Sequence, residues 1–432
     1  MRKANVRQLA SLVERFTDQG SQSARAFKRA VDGASENLQP NELPSEFNLL
    51  KLRRAKQRSK LFDYQEELVT AAFSTYENSS RPHASLLSLP TGAGKTRTAI
   101  SFVFSVISRT KRDRIHWIAP TNELIDQAIQ TCRNMWSESP AIPDIDVDRK
   151  GQSEDESSDA NHVLRFSTIQ SAYSALKSGK DYFAGTDIVI FDEAHQIAAP
   201  TFEQVFRSAM EAGAFVLGLS ATPGRVERSE SAHLATLFDQ EMLISEFLKP
   251  NAITVLQRRG VLSRIHFRNL DDHGKYSSRF EISLKIMREA VDQDSSILVF
   301  TESVAQAHAF NVVLNSSGMK VSSVLSSNTA KDERSDVIDS FSSGKLPVLL
   351  NQQILTTGFD SPGVRHLLLT NRIGSPVLFE QMVGRVARGP VVGGVANSYV
   401  WQFDDHLGIH GYPTSYHRYE DYEWGERTRD PD

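Results

Sequence analysis

The residues best suited to chemistry lie in the run Leu89–Thr96, LPTGAGKT. Gly92 and Gly94 let the backbone wrap tightly enough for its N–H groups to converge on phosphate oxygens, with Pro90, Thr91 and Ala93 completing the cradle. Lys95 would hold the β- and γ-phosphates, and Thr96 would offer its hydroxyl to Mg²⁺. A second run, DIVIFDEAHQ at 187–196, ends an apolar stretch in two adjacent carboxylates. Asp192 at such a strand end would face the Mg²⁺ side of the phosphate loop. Glu193 would then polarise an attacking water as general base.

Groups of this kind must be held at the ends of buried strands, and the surrounding sequence supplies them. LLSL (86–89), RIHWIAP (114–120), VLRFST (163–168), DIVIFD (187–192) and FVLGLSA (215–221) read as short apolar strands. Helical patterns separate them, at 96–107 and 122–136, with a further helix beginning near Tyr64. Continuous apolar strands alternating with helices predict a parallel sheet covered on both faces. The pattern restarts with strands at 295–301, 321–326, 347–351 and 366–370 and helices at 304–316, 331–343 and 375–387. The expected organisation is therefore a helical N-terminal extension with its connector (1–58), a first α/β lobe (59–248), a linker without clear periodicity (249–278) and a second lobe (279–432). The acidic stretch 144–159 reads as a surface insertion of the first lobe.

The ordered series of short motifs resembles superfamily 2 helicases. DEAH at 192–195 resembles motif II, APTNEL (119–124) motif Ia, STIQS (167–171) the motif that follows it, and LSATPGR (219–225) motif III. LVFTES (298–303), TTGFDSP (356–362) and QMVGRVAR (381–388) are similar to motifs IV, V and VI. Within the superfamily, PVLFEQMVGRVARGP is similar in texture to type III restriction subunits and related bacterial helicases. The resemblance implies two tandem RecA-like lobes with parallel sheets that use ATP and Mg²⁺. It implies that Gln65 reads adenine, although Phe62 stands three residues earlier where an arginine is often found. Gly358 and Asp360 would join the nucleotide site. Arg385 and Arg388 would reach the γ-phosphate from the second lobe, with Gln381 orienting that network. His195, Ser220 and Thr222 would couple hydrolysis to the nucleic-acid side. Thr121, Thr168, Gln170 and Thr357 are candidates for contacts to a nucleic-acid strand, while single threonines at these places also suit helix caps.

Composition bounds the remainder. Hydrophobic residues make up 40% and charged residues 24%, ordinary for a globular chain, and no apolar run is long enough to span a membrane. One cysteine, Cys132, excludes intrachain disulfides, and MRKANVRQLASLVERF lacks the apolar core of a secretory signal, so the expected compartment is the cytoplasm. The net charge of -4 conceals a basic segment: residues 1–60 hold 13 Lys/Arg against 6 Asp/Glu. Leu9, Leu12, Val13 and Phe16 at helical spacing make that extension the expected docking element for a protein partner. After motif VI no winged-helix or nuclease pattern is evident. The overall expectation is a compact ATP-driven translocase or remodeller of nucleic acid, DNA favoured over RNA, with a role as the motor of a restriction or phage-defence assembly. The alternative is an ATP-gated clamp or a regulatory subunit without processive movement.

Overall fold

The computed structural model describes residues 60–149, 160–197, 199–221, 228–270, 278–316, 321–326, 329–352, 363–370, 373 and 376–403. The N-terminal extension, motif V with Thr357, Gly358 and Asp360, and Thr222 of motif III lie outside the described residues.

Seven strands form the first sheet: β1 (His83–Ser88), β2 (Asp113–Ala119), β3 (Asp146–Arg149), β4 (His162–Thr168), β5 (Ile188–Asp192), β6 (Phe215–Ser220) and β7 (Met242–Leu243). They run parallel in the order β3-β4-β2-β5-β6-β1-β7. Helices α1 (Asp63–Asn78), α2 (Lys95–Ile107), α3 (Asn122–Ser137), α4 (Ile169–Lys177), α5 (Pro200–Glu211) and α6 (Arg228–Leu237) connect and cover them. The alternation of side chains along each strand serves both faces. In β5, Ile188 and Ile190 pack with Leu68, Phe102, Val103 and Ile125 of α1 to α3. Val189 and Phe191 turn the other way, against Ile169, Val205, Phe206 and Leu234 of α4 to α6. Each such side chain, once fully buried, stabilises the lobe by roughly 1.5–3 kcal/mol.

The second sheet has six strands: β8 (Arg264–Asn269), β9 (Ile297–Phe300), β10 (Ser322–Leu325), β11 (Val348–Asn351), β12 (His366–Leu369) and β13 (Asn397–Gln402). Their order is β10-β11-β9-β12-β13-β8, again parallel throughout. On one face α8 (Arg279–Asp292) and α9 (Val304–Asn315) pack Phe280, Met287 and Phe310 onto Val299, Leu350 and Leu368. On the other, α10 (Lys331–Ser342) and α11 (Pro376–Gly384) bring Phe341, Phe379 and Met382 to Leu298, Leu349 and Leu367.

Two regions differ from the expectation. The stretch 249–278 contains α7 (Ala252–Arg258) and β8, so its described residues supply a helix and a strand. Ala252, Leu256, Val261 and Leu262 join the first lobe's core, whereas β8 completes the second sheet beside β13. Within the acidic stretch 144–159, Asp146–Arg149 is the edge strand β3, its Arg149 paired with Asp126 of α3. β8 and β3 are both sheet edges with little full burial, so neither shows the continuous apolar run of an interior strand.

Candidate nucleotide site between the lobes

The phosphate loop leaves the end of β1 and opens α2. Gly92 and Gly94 have φ of +85° and +89°, a region open to glycine but costly for other residues. Leu89 N–H donates to Ser220 O at 3.1 Å and Ala93 N–H to Pro90 O at 3.0 Å, which fixes the loop against the end of β6. Gln65 is buried against the same turn: its Nε2 donates to Ala93 O at 3.2 Å, and its Oε1 accepts from Phe62 N–H at 3.1 Å. A Cβ at Gly94 would stand 2.4 Å from that Nε2. The Tyr64 hydroxyl also donates to Ala93 O, at 3.0 Å. Tyr64 had no motif to mark it, since its part depends on packing beneath the loop. Arg259 pairs with Asp63 at 2.6 Å and lies 5.5 Å from the Tyr64 ring centre, closing this end of the site from a residue far along the chain.

Asp192 ends β5 and Glu193 follows in a left-handed conformation, φ 53°. That turn aims the two adjacent side chains differently, and Asp192 Oδ1 accepts from Glu193 N–H at 3.0 Å. Burial, reinforced by the Glu193 carboxylate and opposed by Lys95, pushes the Asp192 carboxyl up to about 7. His195 Nδ1 lies 3.4 Å from Glu193 Oε2 and 3.5 Å from the Ser220 hydroxyl, so one ring nitrogen links motif II to motif III.

The second lobe meets the loop through motif VI. A Cβ at Gly384 would fall 2.3 Å from Thr91 Cγ2, so the C-terminal end of α11 lies directly on the phosphate loop. Leu262 pairs with Arg388 in an antiparallel bridge, and a Cβ at Gly92 would approach the Leu262 side chain at 3.1 Å. Arg385 and Arg388 are half-buried here, and the buried amide Nε2 of Gln381 lacks a hydrogen-bond partner among the described residues. Gly389 N–H donates to Val261 O at 2.9 Å, and Ser263 Oγ donates to Arg388 O at 2.5 Å.

The donor set suits Mg²⁺ and a nucleotide. The loop provides a glycine-dependent cradle, and the Thr96 hydroxyl and the buried Asp192 carboxylate are oxygen donors that suit a hard cation.

The strand-contact candidates follow the C-terminal ends of β2 and β4, at the same end of the sheet as Asp192. Thr121 and Thr168 cap α3 and α4, accepting from Leu124 N–H at 3.4 Å and Ser171 N–H at 3.2 Å. Gln170 is exposed at the start of α4. The threonines therefore have local structural duties whatever else they contact.

Two parallel-sheet RecA-like lobes, with motif VI of the second seated on the phosphate loop of the first, define a superfamily 2 helicase core. The family described as Type III restriction enzyme, res subunit, matches residues 58–225, and the Helicase conserved C-terminal domain matches 278–390. The chain belongs to the superfamily 2 helicases and resembles type III restriction subunits. It is 27% identical over 349 residues to irc3 of Schizosaccharomyces pombe, whose name carries the words mitochondrial ATP-dependent helicase, covering 76% of this chain and 55% of that protein. It is 23% identical over 388 residues to the DNA 3'-5' translocase XPB2 of Sulfurisphaera tokodaii, covering 77% and 80%. Among solved structures, the ATP-dependent Type ISP restriction-modification enzyme LlaBIII bound to DNA shares the fold with a TM-score of 0.61 and 16% identity, over 80% of this chain and 28% of that one. The chain spans about half the length of several curated relatives it matches. Among the described residues no helix is long and apolar enough to cross a membrane.

Proposed function

We propose that this chain hydrolyses ATP between its two lobes and uses the cycle to move along or remodel nucleic acid, with DNA favoured over RNA. The observation that carries the reading is the seating of Gly384 against Thr91, which brings the arginine-bearing end of α11 to the phosphate loop. Lys95 and the loop N–H groups bind the phosphates, while Thr96 and Asp192 would hold Mg²⁺. When bound, the ion neutralises phosphate charge. Glu193 takes the proton of the attacking water, its carboxylate positioned by the left-handed turn and by His195. Arg385 and Arg388 stabilise charge developing on the γ-phosphate, and Gln381 orients them. In this reading Gln65 is the residue that reads adenine.

Because these groups come from both lobes, ATP is fully enclosed when the lobes meet, and hydrolysis loosens them. Contacts near Thr121, Thr168, Gln170 and Thr357 then grip and release a strand through its backbone, largely without reading sequence. His195, Ser220 and Thr222 carry the change between the two regions. The DNA preference is supported by the names of the translocase XPB2 and the DNA-bound LlaBIII. Similarity to restriction subunits supports a place as motor in a restriction or phage-defence assembly, with the basic N-terminal extension as the docking element.

ATPase measured across single- and double-stranded DNA and RNA of increasing length tests the reading. Stimulation that grows with strand length supports translocation, whereas early saturation favours an ATP-gated clamp. Absence of stimulation by any nucleic acid would overturn both.

A further inference from the structure

The C-terminal ends of the first sheet are occupied by the nucleotide machinery, yet a cavity of about 800 Å³ opens at the opposite end. It lies across three neighbouring strands, β4, β2 and β5, where they begin. Its walls include Arg112 and Arg114 at the start of β2, Arg165 of β4, and Lys180 and Tyr182 in the connection to β5. β2 has seven residues, which separates this end from Thr121 and the ATP side by roughly 20 Å at about 3.3 Å per residue.

The charge in this cavity is uneven. Four cationic side chains line it against two carboxylates, those of Asp181 and Asp187. Asp187 is already engaged, accepting from Arg114 N–H at 2.8 Å. Asp148, outside the cavity lining, accepts from Arg165 Nε at 2.8 Å and so orients that guanidinium. Arg114 is anchored too: Nη1 donates to Ala160 O at 3.0 Å and Asn161 O at 3.3 Å. Burial, then the neighbouring Arg112, hold the Arg114 guanidinium below its ordinary value; Asp187 opposes this, Arg165 adds to it and Asp113 opposes it. Asp148 holds the Arg165 guanidinium through Nε at the cavity wall, a planar donor group matched to phosphate oxygens, and the exposed side chains of Arg112 and Lys180 add longer-reaching charge. Gly185 at the cavity wall leaves its side open, since a Cβ there would meet nothing within 4 Å.

We propose that this cavity is a second anion site, separate from the ATP cleft, that binds phosphate groups carried by a nucleic-acid strand or by a free nucleotide. A strand bound there would pass behind the first lobe and add sequence-independent grip. A free phosphate compound would instead give the lobe a small-molecule input away from the catalytic centre.

The test uses the full chain and the double variant Arg112→Gln/Lys180→Gln, which alters two exposed side chains outside the ATP machinery. Basal ATPase and melting temperature should match the parent. Affinity for a single-stranded oligonucleotide is measured from low to high salt, where each lost phosphate contact lowers the logarithmic slope by about 0.7, so about 1.4 for two. In parallel, inorganic pyrophosphate is titrated by calorimetry into chain saturated with a non-hydrolysable ATP analogue. A flatter slope in the variant assigns the site to a strand. A pyrophosphate isotherm present in the parent and lost in the variant, with the slope unchanged, assigns it to a free phosphate compound. The same slope in both proteins, with no pyrophosphate binding that depends on Arg112 and Lys180, overturns the proposal.

Discussion

At Asp192 the fold places a carboxylate where water does little for it. Its folded value near 7 stands above the ordinary 3.8 because burial and the Glu193 charge outweigh Lys95. Below 3.8 folded and unfolded chains are both protonated at this group. Between 3.8 and about 7 the folded chain keeps a proton that the unfolded chain has released, so this group's contribution to stability falls as pH rises through that window and levels off above it. Asp192→Asn should therefore raise the melting temperature of the nucleotide-free protein at pH 8, by about 2–4 °C per kcal/mol of relief, and change it little at pH 4. Thermal scans at the two pH values check this; a gain independent of pH would mean that Asp192 is not the strained group. Glu193→Gln, which keeps shape but loses basicity, should bind ATP and turn it over roughly 10²–10⁴-fold more slowly. Normal turnover would remove Glu193 from the role of base. The arginines give a second contrast. The bridge between Arg388 and Leu262 is made by the main chain, so Arg388→Ala should preserve the seating of motif VI and ATP binding while slowing hydrolysis strongly. Lys95→Ala should weaken ATP binding itself. Identical losses of binding in both variants would argue against an arginine that acts mainly on the transition state.

At the scale of elements, helix starts beside the cleft can serve two purposes. Thr168 caps α4, and replacing such a cap commonly costs about 0.5–2 kcal/mol. Thr168→Val should lower the melting temperature, whereas Thr168→Asp supplies another good capping oxygen and should retain it. If the same hydroxyl also meets a nucleic-acid backbone, the aspartate would repel phosphate and weaken strand binding despite a stable fold. Undiminished binding by a stable Thr168→Asp protein would leave Thr168 as a cap alone. This ambiguity belongs to the sequence: threonine before a helix satisfies the capping rule with or without a ligand. The interior strands were legible because β5 and β9 are buried on both faces and appear as unbroken apolar runs, IVIF and ILVF. β8, RIHFRN, and β3, DVDR, were not, because an edge strand with partly exposed faces needs no such run. β13 was missed for another reason, its NSYVWQ alternating exposed or half-buried with buried positions. The phosphate-loop and carboxylate residues could be proposed from the sequence because the chemistry expected of them fixes residue type and spacing. Tyr64, Arg259 and Leu262 were not, since what they touch depends on how distant segments come together.

At the scale of the whole molecule, the lobes also meet away from the nucleotide. Glu123, in the first turn of α3, accepts from Arg334 Nη1 of α10 at 2.7 Å. The pair joins motif Ia of the first lobe to the second lobe, beside the cap residue Thr121. Both side chains keep some solvent contact, 39% for Glu123 and 21% for Arg334, so the pair should contribute no more than about 0.2–1 kcal/mol. That is small against the stability of a lobe but enough to shift a balance between separated and joined arrangements by about 1.4- to 5-fold. Arg334→Glu would set two carboxylates against each other across the interface. Each lobe should melt as before, since neither core includes the pair, while nucleic-acid-stimulated ATPase falls and the required ATP concentration rises. Glu123→Arg should do the same by setting two cations together. The double exchange, Glu123→Arg with Arg334→Glu, restores opposite charges in reversed order and should recover much of the lost activity. Steady-state ATPase of the parent, both single variants and the double variant at one salt concentration measures this coupling. Recovery in the double variant ties the rate to the meeting of the lobes through this pair, and additive losses would show that the two residues act independently. Raising the salt concentration should shrink the difference between parent and single variants, because an exposed pair is screened over roughly 10 Å at 0.1 M salt.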